Sequence, residues 1–286
     1  MKKKNGQKSA FITTLLILIV AAGVVLMLYP TFSDLWNKRH SAKLITSYLS
    51  HVEEMSDTES EEEFARVHAY NDAILSKSNP FVLSETEEQT YNALLHMDAD
   101  GMMGFLEIPS LEIRLPIYHG TEAVVLQDGV GHLDWTSLPA GGESTHCVLS
   151  SHRGLPSARL FTDLDKLKQG DLFTLTILNR TLVYEVDQIR TVDPTDVSEL
   201  MIREGEDYCT LVTCTPYGIN THRLLVRGHR IEVNDEHEIR VISDAVLVDP
   251  MRVAPWIAGV LVLAVVVFWI LRRPKKTENK SDFGEE

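Results

Sequence analysis

Cysteine is scarce in this chain. Three residues, Cys147, Cys209 and Cys214, are spread over 286 positions. Three thiols cannot staple a small scaffold, and an odd count leaves at least one free or paired elsewhere. No Cys-x-x-Cys is present, and no spacing of His with Cys suits zinc. The acidic residues form no calcium-loop pattern. No motif requires a metal or any other cofactor, and none is expected. Internal repeats of fixed period are missing too.

Basic residues are few where they would matter for nucleic acid. Residues 29–252 hold 18 Lys and Arg against 37 Asp and Glu, a net of −19. Such a surface repels phosphates, so nucleic-acid binding is disfavoured. It suits solubility at a cell surface. Part of the excess lies in "EEMSDTESEEEF" (53–64), which reads as a solvated helical or loop segment.

Charge is absent from two runs, residues 10–28 and residues 253–271. At a rise of about 1.5 Å per residue, each is long enough as a helix to cross a hydrocarbon core of roughly 30 Å. Lys2, Lys3, Lys4 and Lys8 precede the first run. Arg272, Arg273, Lys275 and Lys276 follow the second. Both basic flanks favour the cytoplasm. The expected topology is a two-pass protein of the cell membrane with both termini cytoplasmic and residues 29–252 outside. A cleaved signal peptide is the competing reading of the first run. That run is longer than a usual signal core, and the small residues Ala21-Ala22-Gly23 lie inside it rather than after it.

Residues 35–98 read as helical. Leu35, Ile45, Leu49 and Val52 follow helical spacing, and Ser84 with Glu87 forms a capping-box pattern. Pro80 disfavours helix at Asn79 and breaks the run. From Gly101 the pattern changes to short strands separated by turn formers, with a hairpin expected at Asn179-Arg180. One short helical stretch is expected at 156–167. This is the signature of an all-β sandwich or barrel.

"YCTLVTCTPYGINTHRLLVRGHR" (208–230) reads as two strands, 208–214 and 222–231, joined by a turn containing Pro216, Gly218 and Asn220. Cys214 and Arg223 then face one another at the strand ends. Side chains alternate along a strand, so Cys209 and Cys214 point to opposite faces. Cys209 lies in mid-strand as a buried thiol. Cys214 ends its strand beside a loop, where substrate can reach it. A thiolate is favoured by a neighbouring cation, and the guanidinium of Arg223 suits a developing oxyanion. A His must handle the proton. His222 falls on the other face and His229 lies further along the strand. His119 and His132 sit in Gly-containing turns, and His146 opens a strand. His152, at a strand end before a Gly-Pro loop, is the best presented, but these features alone leave the choice open.

Three blocks carry a resemblance to a known family. "TLVTCTPYGINTHRLLVRGHR" resembles the active-site strand of sortases. "SLPAGGESTHCVLSSHRGLPSARLFTDLDKL" resembles the segment bearing their catalytic His, and "GMMGFLEIPSLEIRLPIYHGT" resembles their first strands. The similarity spans about residues 40–235 and is nearest to class C, the pilus-building sortases. It implies a mainly β fold: an eight-stranded sortase β-barrel preceded by helices and flanked by two transmembrane helices. The implied layout is a cytoplasmic N-terminus (1–9), a span (10–28) and an extracellular helical region (29–100). A catalytic barrel (101–235), a spacer (236–252), a second span (253–271) and a cytoplasmic tail (272–286) follow.

The implied catalytic residues are Cys214 as nucleophile, His152 as general acid and base, and Arg223 for substrate orientation and the oxyanion. Thr213 is a weaker candidate for assisting the oxyanion. The implied reaction cleaves an LPXTG-like signal between Thr and Gly and joins the acyl group to a Lys of another pilin. The implied partners are pilins or other surface proteins with such signals, and the membrane.

Class C members often cover the site with a lid carrying Asp-Pro-aromatic. Asn79, Pro80 and Phe81 take that place here. With Asn instead of Asp, only a neutral hydrogen bond to Arg223 is expected, and a lid held more loosely. Ser151 stands where the family often has Gly or Ala. The alternatives are a sortase that attaches surface proteins to peptidoglycan and a non-enzymatic, membrane-anchored binding module. A papain-like protease fits poorly, because its Cys opens a helix whereas Cys214 ends a late strand.

Overall fold

The computed structural model describes residues 3–97 and 101–232. Helix α1 (Lys3–Glu54) opens the chain. Its apolar stretch is long enough to cross a membrane and is the single helix of that kind among the described residues. The proposed second span, 253–271, lies outside the described residues. From Phe32 onward the described chain folds as one unit.

Two capped helices follow. In α2 (Asp57–Leu75), Ser56 and Glu59 close a reciprocal capping box. In α3 (Glu85–Ala93), Ser84 and Glu87 do the same, as the sequence suggests. The segment 76–84 between them carries Pro80. The acidic run at 53–64 is solvated as expected at Glu53, Glu54, Asp57, Glu59, Glu61 and Glu62, with one carboxylate as the exception. Glu63 is only 2% exposed, and its Oε1 accepts the Leu95 N–H at 2.6 Å. Its neighbour Phe64 enters the main core. The physical reason is periodicity. Phe64, Val67, Tyr70 and Ile74 form an apolar stripe that buries one side of α2, and Glu63 lies at its edge.

The barrel has eight strands: β1 (Met102–Ile108), β2 (Ile113–His119), β3 (Val130–His132), β4 (Thr145–Ser150), β5 (Leu172–Ile177), β6 (Arg180–Val192), β7 (Asp207–Thr215) and β8 (His222–Ile231). They close in the order β1-β2-β3-β4-β7-β8-β6-β5, and β5 pairs with β1 to complete the ring. Closure removes the sheet edges that an open sheet would expose. Between β2 and β3 lies a one-turn helix, α4 (Ala123–Asp128), which the strand-rich pattern hides.

Three local expectations are corrected. The hairpin turns at Leu178-Asn179, since Ile177 pairs with Arg180. Leu178 is buried, and its N–H donates to the Tyr48 hydroxyl of α1 at 2.7 Å, which fixes the turn. The stretch 156–167 is mostly turns with one 3-10 segment, Leu164–Lys166. His119 and His132 are strand residues that pair in register across β2 and β3, not turn residues.

Alternation splits the sheet into two faces. Cys147, Leu149, Cys209, Leu211, Leu224 and Val226 join the main core. Val148, Val212 and Leu225 face the other way and form a second apolar cluster with Leu200.

Asn71 pins α2 to the loop after β3. Its Oδ1 accepts the Leu138 N–H at 2.8 Å, and its Nδ2 donates to the Leu138 carbonyl at 3.2 Å. That carbonyl also receives the Ala140 N–H, so only the N–H depends on Asn71. Asn71→Leu leaves this buried donor without an acceptor. It is expected to lower the unfolding free energy in urea by roughly 1–3 kcal/mol. An unchanged midpoint would show that the bond is dispensable.

Candidate active site

A cleft of about 430 Å³ lies on the outer face of the barrel, and His152, Thr213, Cys214 and Arg223 all line it. Its floor is the second apolar cluster, Val212 with Leu225 and Leu200. The site is therefore built on the side of the sheet opposite the main core.

Register places the three residues. Strand β4 runs parallel to β7, with Ser150 opposite Val212. The Ser151 N–H continues that pairing beyond the strand by donating to the Val212 carbonyl at 3.2 Å. Two residues past Ser150 is His152, and two past Val212 is Cys214, so both fall on the same face at the same end. Strand β8 returns antiparallel to β7 and sets Arg223 opposite Cys214. The connection between them folds tightly, with the Ile219 and Asn220 N–H groups both donating to the Pro216 carbonyl. Gly218 and Asn220 there take positive φ of 74° and 61°, which suits Gly and Asn.

The sulfurs differ in access. Cys147 and Cys209 are buried, while Cys214 is partly exposed, and none forms a disulfide. Burial pushes the Cys209 thiol well above its ordinary pKa, with Cys147 beside it. A protonated, sealed thiol is a poor nucleophile. Arg223 Nη1 donates to the His222 carbonyl at 3.1 Å, so its guanidinium is held at the strand end.

Thr213 lines the cleft next to Cys214, with its hydroxyl turned to the backbone. Its hydroxyl is buried and donates its single proton to the Ser151 carbonyl at 2.8 Å. It therefore braces the residue preceding His152. Ser151 is fixed further by its own hydroxyl, which donates to the Gly129 carbonyl at 2.7 Å.

Several other His are committed elsewhere. His132 is fully buried, with Nδ1 at 3.0 Å from the Tyr91 hydroxyl and Nε2 at 2.9 Å from the Ser137 carbonyl. Burial lowers His146 to about 4, and its Nε2 lies 2.7 Å from the Thr210 hydroxyl. Burial, aided by the neighbouring His132, lowers His119 to about 4. His222 pairs with the Thr221 hydroxyl at 2.9 Å and lies 3.6 Å from Asp193.

The segment after His152 is tied to α1. Asp34 Oδ1 accepts the Arg159 N–H at 2.9 Å, and Asn37 Nδ2 donates to the Ser157 carbonyl at 2.9 Å. On the cleft's other side, Phe81 packs against Trp135 with ring centroids 4.9 Å apart, and Trp135 lines the cleft. Asn79 departs from its expected bond to Arg223: its Oδ1 accepts the Phe81 N–H at 3.2 Å and closes its own turn. Lys77 secures the same segment by donating to the Val82 carbonyl at 2.7 Å and pairing with Glu87 at 2.9 Å. The Ser84 backbone N–H and Lys77 hold the Glu87 carboxyl down to about 2. Trp135 was missed by motif reasoning. Its one signal is a lone bulky ring among the turn formers of "HLDWTSLPAGG".

A partly exposed thiol, an imidazole and a fixed guanidinium on one apolar-floored cleft suit acyl transfer through a thioester. Comparison with known proteins points the same way. The family model described as the Sortase domain matches residues 106–231. The crystal structure of sortase C1 from Streptococcus agalactiae is 50% identical. It covers 67% of this chain and 100% of that one at a TM-score of 0.65. Sortase C of Streptococcus pneumoniae, described with regard to its pilin substrate specificity, is 45% identical. It covers 67% of this chain and 97% of that one at a TM-score of 0.60. Sortase C of Clostridium perfringens with the C-terminal cell wall sorting motif is 43% identical. It covers 67% of this chain and 100% of that one at a TM-score of 0.60.

Proposed function

This chain belongs to the sortase family of cysteine transpeptidases, with class C sortases as structural neighbours, and we propose that it polymerises pilins at the outer face of the cell membrane. The observation that carries this reading is the meeting of Cys214, His152 and Arg223 on one cleft.

The sorting signal lies along the cleft with its Leu-Pro end over the apolar floor. Cys214 Sγ attacks the Thr carbonyl of the Thr–Gly bond, and the oxyanion that forms is met by the guanidinium of Arg223. The C–N bond breaks, and His152 as imidazolium gives its proton to the departing Gly amine. The acyl group is then held as a thioester. A Lys ε-amine of the next pilin loses a proton to the imidazole, attacks the thioester carbonyl and displaces the Cys214 thiolate. The product is an isopeptide bond, and the enzyme returns to its starting state. The apolar part of α1 anchors the chain at the membrane, with the barrel on the outer side.

Residues 79–81 act as the lid. With Asn79 engaged in its own turn, the hold on the cleft comes from Phe81 against Trp135 and from the Lys77 contacts, not from an ion pair with Arg223. Phe81→Ala is expected to raise the rate of Cys214 alkylation several-fold; an unchanged rate argues against a lid.

The function is tested by incubating the full chain in detergent with pilins that bear LPXTG-like signals. Mass spectrometry is expected to find Lys–Thr isopeptide links between subunits with the native chain and none with Cys214→Ala. Hydrolysed pilin without polymer would contradict pilin joining. Transfer confined to a peptidoglycan amine would identify a cell-wall anchoring enzyme.

A further inference from the structure

We propose that Arg153 is a positioning residue that locks the His152 loop to the Cys214 strand end, an inference that rests on the reading of Cys214 and His152 as the reacting pair.

Arg153 directly follows His152, in a loop where an arginine would ordinarily reach into water. Instead its side chain is 8% exposed. A guanidinium keeps its charge at any physiological pH, so burying it is unfavourable unless its donors are met. Nη2 lies 2.7 Å from Asp165 Oδ2. Nη1 donates to the Thr215 hydroxyl at 3.2 Å. Nε is buried and finds no partner among the described residues. As with Arg227, whose Nη1 is likewise unpartnered among the described residues, the chain thus accepts an incompletely satisfied buried cation here.

Its location explains what it does. Thr215 directly follows Cys214, so one planar group joins the residue after the proposed base to the residue after the proposed nucleophile. The next residue adds a contact. Gly154 has a φ of +80°, and a Cβ built there would lie 3.0 Å from the ring of Tyr217. The loop therefore rests on an aromatic from the β7–β8 connection. On the other side of the pair, the Thr213 hydroxyl already grips the Ser151 carbonyl. His152 and Cys214 are each left free to face the cleft while their neighbours on both sides are joined. Asp165 is half-exposed and orients the guanidinium through one carboxylate oxygen. A lysine would keep the charge, but it lacks the fork that spans Asp165 and Thr215 together.

Small misplacements of reacting groups are costly: a shift of about 1 Å is worth roughly 100-fold in rate. The test uses the full chain in detergent with a fluorogenic Leu-Pro-X-Thr-Gly peptide. It also measures the pH dependence of Cys214 alkylation by iodoacetamide. Arg153→Ala is expected to lower kcat by about 10- to 100-fold with KM changed less than about 3-fold, and to move the alkylation profile toward that of His152→Ala. Arg153→Lys is expected to restore only part of kcat. Thr215→Val, which keeps the buried cation and removes one acceptor, is expected to give a smaller loss of the same kind. It covers the case in which Arg153→Ala does not fold. The proposal is overturned if Arg153→Ala keeps more than half of native kcat. It is also overturned if its loss is matched by fewer titratable active sites with an unchanged pH profile, which would mark a purely structural role. If His152→Ala itself leaves turnover and the alkylation profile as in the native chain, the reading of the pair fails, and the positioning proposal with it.

Discussion

The parallel pairing of β4 with β7 is the constraint on which the rest of the site depends. Six consecutive residue pairs, from Thr145 opposite Asp207 to Ser150 opposite Val212, fix the two strands in register. Parallel strands end at the same edge of a sheet, so whatever follows each strand is delivered to one place. Here the followers are His152 and Cys214, sixty-two positions apart in sequence. The backbone bond from Ser151 to Val212 and the hydroxyl bond from Thr213 to Ser151 carry the register past the last strand pair. A slip of one residue would turn one of the two side chains to the opposite face. The apolar clusters on both faces resist such a slip, because it would drive Val148 into the main core and expel Cys147 and Leu149.

The two faces also divide the chemistry. Cys147 and Cys209 pair across the same two strands but point into the core, where water and substrate are excluded. Cys214 belongs to the other face and stands at the open end. Alternation thus gives one strand both an inert thiol and an accessible one, five residues apart. Arg223 lies opposite Cys214 on an antiparallel partner, so backbone hydrogen bonds, not a flexible loop, bring the two residues side by side.

Much of this was legible in the sequence because it is local or periodic. The strand pair with its turn, the opposite facing of Cys209 and Cys214, the Ser84–Glu87 cap and the break at Pro80 all follow from spacing and turn chemistry. The choice of His152 was not legible from periodicity alone. His152 is the best presented of the histidines and the family resemblance names it, but periodicity does not tell that His119, His132 and His146 are committed to hydrogen bonds elsewhere, which depends on long-range packing. The same holds for Trp135, Leu200 and Val197, which meet from separate segments to form the cleft's apolar side. Glu63 misleads for another reason. An acidic run looks solvated, but helical periodicity turns one of its carboxylates inward onto the Leu95 amide. Asn79 and Thr213 show that a residue's type can be read while its partner cannot: each hydrogen-bonds a backbone group next to the site, not the site itself.

In the proposed mechanism Cys214 alone among the three thiols carries the acyl group. Incubation of the chain with a Leu-Pro-X-Thr-Gly peptide, followed by acid quench, digestion and peptide mapping by mass spectrometry, tests it directly. The expected result is a thioester-linked acyl mass on the peptide containing Cys214 and on no other, lost when hydroxylamine is added. An adduct on Cys147 or Cys209, or turnover of the signal with no thioester at Cys214 under any quench, would contradict it.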